Sequence, residues 1–268
     1  MGSESVLVDF GAEHLDSAVA LSRQVQWPHR HEDWKMALDR AGHVVGTVLM
    51  TPYAADVATI SMVIVDEAMR GQGLGRRLME RALALAGTRA VRLVATADGL
   101  PLYEKLGFRA TGTVMQHQGV ALGCAAPETV SAAQNNDLDA IVALDRAASR
   151  ADRSALLAHL GRVGRFAVIK GTSGVEAYAA LRSFGRGEVI GPVISKDAER
   201  ATRLIAAFMA DRAGQFLRVD TTAAAGLSDW LIAHGLAKVG GGIAMRRSDE
   251  VEPSAPYRIF ALASQALG

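Results

Sequence analysis

The chain has a single cysteine, Cys124, so no intramolecular disulfide can form, and a reducing compartment suits it. The Ala-Gly-Cys setting offers no nearby histidine to activate a thiol, so a structural role is expected for that side chain. One Cys and scattered His residues also lack zinc-ligand spacing, and no metal is expected. Neither sign of charge dominates: 29 Lys and Arg stand against 28 Asp and Glu. A nucleic-acid binder needs a basic face to displace counterions, so this balance argues against one, local patches aside. No apolar run reaches the length of a membrane helix. Met1 to Val8 carries Glu4 and runs straight into an apolar segment, without the basic region and apolar block of a signal peptide. The expectation is a soluble cytoplasmic protein with no membrane or nucleic-acid partner, as a monomer or homodimer.

Half of the 268 residues are hydrophobic, enough for one large domain or two of ordinary size. Ser5 to Phe10 reads as a strand and Ala12 to Gln26 as a helix with Leu15, Val19 and Ser22 on one face. A short helix is expected near Glu32 to Asp39, after Trp27-Pro28. Val44 to Met50 and Ala58 to Val65 read as strands joined by a hairpin at residues 51–56. A helix with the stripe Leu74, Leu78, Ala82 and Leu85 follows. Then come a strand (Val91 to Thr96), a helix (Leu100 to Leu106) stopped by Gly107, and a strand (Arg109 to Gln118). Gly119 to Glu128 reads as a linker.

The second half repeats the order. Helices are expected at Leu138 to Ala148 and Arg153 to Leu160, and strands at Arg165 to Lys170, Val175 to Leu181 and Glu188 to Ile194. Ala201, Leu204, Ile205 and Phe208 then form a helical stripe. A strand (Phe216 to Thr221), a helix (Ser228 to Ala233) capped by Gly235, and a strand (Ala237 to Arg246) complete it, before a tail at Tyr257 to Leu267. The chain thus reads as a tandem repeat of one α/β unit, with domains at residues 1–122 and 129–268.

Arg70-Gly71-Gln72-Gly73-Leu74-Gly75 directly follows an apolar strand and opens an amphipathic helix. Glycines let backbone N–H groups converge, and the positive end of a helix favours phosphate. Arg70, Arg76 and Arg77 add positive charge. The plainer reading is a tight strand–helix turn. No Gly-Lys-Ser/Thr follows, so it is no Walker loop, and its spacing misses the dinucleotide fingerprint.

About thirty residues on stands Leu102-Tyr103-Glu104-Lys105-Leu106-Gly107-Phe108. With Val65 to Gly75, this segment resembles the GNAT acetyltransferase superfamily over roughly residues 5–118. More weakly, through Gly191-Pro192-Val193-Ile194 and the element order, the second half is similar to the degenerate C-terminal domain of bacterial tandem GNAT proteins. The resemblance implies an α/β (α+β) fold of two tandem domains, each a mixed, mostly antiparallel sheet flanked by helices. It implies acetyl-CoA as co-substrate, with no metal.

By that resemblance, the main chain of Met62, Val63, Ile64 and Val65 would hold the pantetheine arm, across a splay or bulge. The N–H near Val63 would stabilise the oxyanion. Arg70, Gly71, Gln72, Gly73, Leu74, Gly75 and Arg76 would hold the diphosphate. Tyr103 would be the general acid that protonates the leaving thiolate, or else merely a packing residue. Many members carry Asn where this chain has Thr96, so a pantetheine contact there is a departure from the pattern.

The strand offers no carboxylate base; Ser61 is its one polar side chain between Ile60 and Val63. His29, His31, Glu32, Asp33 and His117 are candidate bases, and Trp27, Trp34 and Tyr53 could line an acceptor site, each with a surface or core role as the alternative. Substrate contacts are expected from Trp27, His29, Asp33 and Tyr53.

The second copy lacks this machinery. An ungapped match sets Lys196-Asp197-Ala198-Glu199-Arg200-Ala201 against the glycine loop, with negative charge where phosphate would lie, and Leu231 against Tyr103. One acetyl-CoA per chain is expected. Arg182, Phe184 and Arg186 mark a hairpin that could wall the acceptor site or form a solvated turn. The expected reaction is transfer of an acetyl group to the amine of a small molecule by direct attack in a ternary complex. The alternatives are a non-catalytic acyl-CoA sensor and, less well supported, an NTP-binding module.

Overall fold

The structure is a computed structural model that describes residues 8–25, 44–172, 174–248 and 255–268. It divides into two compact units, one of residues 1–51 and 60–88, the other of residues 52–59 and 89–268. Two strands, β1 (Gly46–Tyr53) and β2 (Val57–Val65), run through both.

The first unit contains a 3-10 turn at Ala12–His14, α1 (Leu15–Gln24) and α2 (Leu74–Ala86). Ala18, Val19 and Leu21 of α1 pack on Met62 and Ile64 of β2. On α2 the buried positions are Leu74, Leu78, Met79, Ala82 and Ala86. Leu85, expected on that stripe, is 50% exposed, because the 3.6-residue period passes through Ala82 to Ala86 instead. Of the expected Ser5–Phe10 strand, residues 8–10 carry no regular structure and the rest lies outside the described residues. So does the expected helix at residues 32–39.

The second unit adds β3 (Ala90–Ala95), α3 (Leu100–Lys105), β4 (Arg109–Val120), β5 (Val130–Ala132), α4 (Leu138–Ser149), α5 (Ser154–Val163), β6 (Gly164–Gly171), β7 (Gly174–Phe184) and β8 (Gly187–Ser195). It continues with α6 (Ala198–Ala210), β9 (Phe216–Thr222), α7 (Ser228–Ala233), β10 (Ala237–Arg247) and β11 (Arg258–Ala261). Its strands run β3-β10-β4-β9-β11-β8-β7-β6-β5, and residues 57–59 of β2 pair parallel with residues 90–92 of β3. The remaining neighbours are antiparallel, apart from a short parallel contact of β8 with β9.

Side chains alternate across this sheet as the strand period requires. Ala177, Ala179 and Leu181 of β7 meet Leu204, Ile205 and Phe208 of α6 on one face. Tyr178 and Ala180 meet Ile141, Leu144, Leu157 and Leu160 of α4 and α5 on the other.

Two features of this sheet were not expected. First, the last strands of the two halves change places. β10 lies between β3 and β4, with Ile243 opposite both Ala95 and Thr113. β4 pairs in turn with β9, Val114 opposite Thr222 through Val120 opposite Phe216. The expected linker therefore begins with two residues, Gly119 and Val120, that belong to β4.

Second, the tail is not a loose end. β8 and β9 pair only at Glu188–Val189 with Leu217–Arg218, and β11 then enters between them. It pairs with Val193 to Ser195 on one side and Thr221 on the other. The Thr221 hydroxyl donates to the Phe260 carbonyl at 2.6 Å, and Leu262 N–H to the Asp220 carbonyl at 2.8 Å.

Candidate functional site

In the first unit, β2 ends at Val65 and the chain turns on Asp66, whose carboxylate accepts from Ala68 N–H at 2.9 Å. Arg70 leans back, its Nε donating to the Val65 carbonyl at 3.3 Å. Gly71 (φ +78°) and Gly73 (φ +77°) are both left-handed, which explains glycine at each. Gly73 is the N-cap of α2 and no side chain caps that helix; its first turn holds no acidic residue. The early N–H groups of a helix have no partner within the helix and, with the macrodipole, attract an anion. Arg70, Gly71, Gln72, Gly73 and Arg76 are exposed, while Leu74 is anchored in the core. Arg76 pairs with Glu80 at 2.8 Å across a well-exposed turn, a contact of the weak surface kind.

Upstream, Met62 has φ +55° in mid-strand. A left-handed non-glycine residue costs about 1–3 kcal/mol. Met62 is 7% exposed and held by the α1 core, and the Thr47 hydroxyl donates to its carbonyl at 2.7 Å. The neighbouring Ser61 hydroxyl is buried and has no hydrogen-bond partner among the described residues.

In the second unit, Tyr103 lies on α3, only 7% exposed, edge-on to Phe108 with ring centroids 6.1 Å apart. Burial pushes its phenol up to about 12, so it holds its proton at neutral pH. Thr96 is exposed, and its hydroxyl oxygen accepts from Gly99 N–H at 3.3 Å at the start of α3.

Tyr53 is buried, and its hydroxyl donates to the Leu267 carbonyl at 2.6 Å. Burial raises its pKa. His117 is buried on β4, with Nε2 2.9 Å from the Ser228 hydroxyl at the start of α7, and burial lowers its pKa. A neutral, enclosed imidazole packs well there. Trp27, His29, His31, Glu32, Asp33 and Trp34 lie outside the described residues. Among the described residues, no three His, Cys, Asp or Glu are grouped to hold a metal ion, and no helix is long and apolar enough to cross a membrane.

The corresponding helix start in the second half is built differently. The Asp197 carboxylate caps α6, accepting from Arg200 N–H at 2.8 Å, and it also pairs with the Arg200 guanidinium. Arg200 reaches Glu176 at 3.2 Å as well. The N–H groups that α2 leaves uncapped are here facing a carboxylate. Next to this helix, β11 fills the gap between β8 and β9, and a Cβ on Gly191 would collide with the Leu262 carbonyl. Sequence reasoning did not find β11, although the apolar run Ile259-Phe260-Ala261-Leu262-Ala263 carries its signal.

Two family models, both described as an acetyltransferase (GNAT) domain, match residues 32–110 and 141–261. The chain is 26% identical to an uncharacterized N-acetyltransferase of Bacillus subtilis (strain 168), YitH, with 98% of each chain covered. Among solved structures, a Pyrococcus horikoshii protein assigned to the acetyltransferases aligns with a TM-score of 0.79 at 17% identity, covering 100% of this chain and 99% of its own. A tandem GNAT protein from the clavulanic acid biosynthesis pathway aligns with a TM-score of 0.59 at 15% identity over 92% of this chain and 99% of its own. The chain belongs to the GNAT acetyltransferase superfamily as a tandem-domain member. Its reaction class is acyl transfer.

Proposed function

We propose that the protein transfers an acetyl group from acetyl-CoA to the amine of a small molecule, by direct attack in a ternary complex, with one acetyl-CoA bound per chain. The observation that carries this reading is the uncapped start of α2 behind two left-handed glycines, set against its carboxylate-capped counterpart at Asp197. Arg70 to Arg76 fit a diphosphate: exposed backbone N–H groups, a helix N-terminus and arginine side chains. In this reading the pantetheine arm lies along Met62 to Val65, beside the left-handed residue Met62.

Acetyl-CoA supplies the activated acyl carbon. In this reading the amine nitrogen bonds to that carbon and the C–S bond breaks. The Val63 N–H steadies the developing oxyanion, and Tyr103 gives its proton to the departing sulfur. The proton lost from the amine returns to Tyr103 through solvent. The buried, proton-retaining phenol of Tyr103 suits this acid role. The plugged and capped second half supports the first and carries no turnover of its own. We place the two domains at residues 1–122 and 129–268, with β4 and β10 exchanged between them.

A coupled thiol-release assay against a panel of small amines tests the reading. Amine-dependent release of CoA supports it. Tight acetyl-CoA binding without release under any acceptor overturns it in favour of an acyl-CoA sensor.

A further inference from the structure

Thr47 is 5% exposed, and its hydroxyl reaches across from β1 to donate to the carbonyl of Met62 at 2.7 Å. The residue it grips is the one with a φ of +55° in the middle of β2. A left-handed residue tips its carbonyl out of the ladder, and a buried carbonyl without a partner is costly. The Thr47 hydroxyl supplies that partner. A trans peptide directs its C=O and its N–H to opposite sides. Pinning the Met62 carbonyl toward β1 therefore turns the Val63 N–H away from β1.

From this geometry we infer that Thr47 is a positioning residue for acyl transfer: its hydroxyl fixes the Met62–Val63 peptide so that the Val63 N–H faces the thioester carbonyl. The inference rests on the acetyl-transfer reading and adds a residue that never touches the substrate. Thr47 is well suited to the task. It sits one residue after Gly46, where an added Cβ would meet the Ile64 carbonyl and Leu78 at 3.1 Å, so β1 and β2 are in close contact at this point. Its β-branched side chain also has restricted rotamers, which keeps the hydroxyl aimed.

The test is a donor series at this one position, Thr47→Ser, Thr47→Cys and Thr47→Val, with turnover and acetyl-CoA KM measured on an amine that the wild type accepts. Oxyanion donors are worth about 100-fold or more when removed outright, so a donor that is merely loosened is expected to lower kcat about tenfold in Thr47→Val. The acetyl-CoA KM is expected to stay within about twofold, because the interaction acts in the transition state. Thr47→Ser is expected to retain most of the rate, and Thr47→Cys to fall between. A purely structural role predicts thermal midpoints that track side-chain fit, with kcat unaffected in every variant that folds. Equal kcat across the series overturns the inference. If Thr47→Val does not fold, the Ser and Cys variants decide, and equal kcat in those two overturns it. Failure of the wild type to turn over any amine instead removes the acetyl-transfer reading itself, and the two failures are distinguishable.

Discussion

Gly99 stands so close to Tyr103 that a Cβ on it would lie 2.7 Å from the ring Cε2 and 3.2 Å from the hydroxyl oxygen. The two are also joined through the main chain, Tyr103 N–H donating to the Gly99 carbonyl at 3.2 Å. Gly99 thus fixes where the phenol sits. Gly99→Ala is expected to push the ring aside, and misplacement by an ångström or so costs about 100-fold in rate when a group acts on a reacting atom. Steady-state kinetics on an accepted amine measure it. A rate equal to wild type would detach Tyr103 from the chemistry.

Tyr103→Phe removes the proton while keeping the ring against Phe108. Turnover is expected to fall by about 100-fold or more, with acetyl-CoA affinity nearly intact. The phenol's elevated value also makes a prediction about pH. Its folded value of about 12 lies above the ordinary phenol value of about 10, so the folded state holds the proton more tightly. The contribution to stability is complete below pH 10 and is lost as pH rises toward about 12. Wild type is expected to lose stability over that window more steeply than Tyr103→Phe, as read from denaturant midpoints. Parallel curves would show that burial does not raise the phenol.

The strand–turn–helix junction at Gly71 to Gly73, the short helix that holds Tyr103 and the repeated order of elements were legible because each has a local signature: glycines at a strand–helix junction, a fixed motif, matching periodicities. The α2 stripe was read to within one position, failing only at Leu85, where Ala86 closes the turn instead. The exchange of β4 and β10 had no such signature. Pairing of Ile243 with Ala95 joins residues nearly 150 apart in sequence, and nothing in either strand's alternation names its partner. The tail was missed for a related reason. Ile259 to Ala263 is a continuous apolar run, the pattern of a strand buried on both faces, and such a run looks like a helix segment or an apolar tail until its neighbours are known. Thr47 was invisible because an isolated Thr in a strand is ordinary, and its meaning depends on the φ of Met62.

Gly73 and Asp197 make opposite predictions at matching helix starts. Gly73→Asp places a carboxylate where α2 has none and is expected to raise the acetyl-CoA KM by about tenfold or more through charge repulsion and lost N–H groups. Asp197→Ala removes a cap and is expected to cost about 1 kcal/mol of stability without altering that KM. Calorimetric titration with acetyl-CoA is expected to give one site per chain in wild type and in Asp197→Ala. Two equivalent sites in wild type would sink the single-site reading.

Asp145 and Arg153 form an ion pair with both side chains almost fully buried, at 2.6 and 2.9 Å. The Tyr178 hydroxyl donates to the same carboxylate at 2.5 Å, and Arg153 Nη1 donates to the Gly268 carbonyl at 2.6 Å. This pair therefore joins the α4–α5 core to the end of the tail that plugs the second half, where Tyr53 holds the adjacent Leu267 carbonyl. Removing one member leaves the other charged and without its partner in the interior. Arg153→Met is accordingly expected to cost about 3–5 kcal/mol, whereas Asp145→Asn combined with Arg153→Met should recover part of that loss because no lone charge remains. Urea denaturation of the three proteins measures both. Since the pair lies among structural contacts and away from the glycine loop in sequence, the folded fraction of each variant is expected to keep its acetyl-CoA KM. A double variant no more stable than Arg153→Met would show that the stability comes from the hydrogen bonds to Tyr178 and the tail, and not from the pairing of charge.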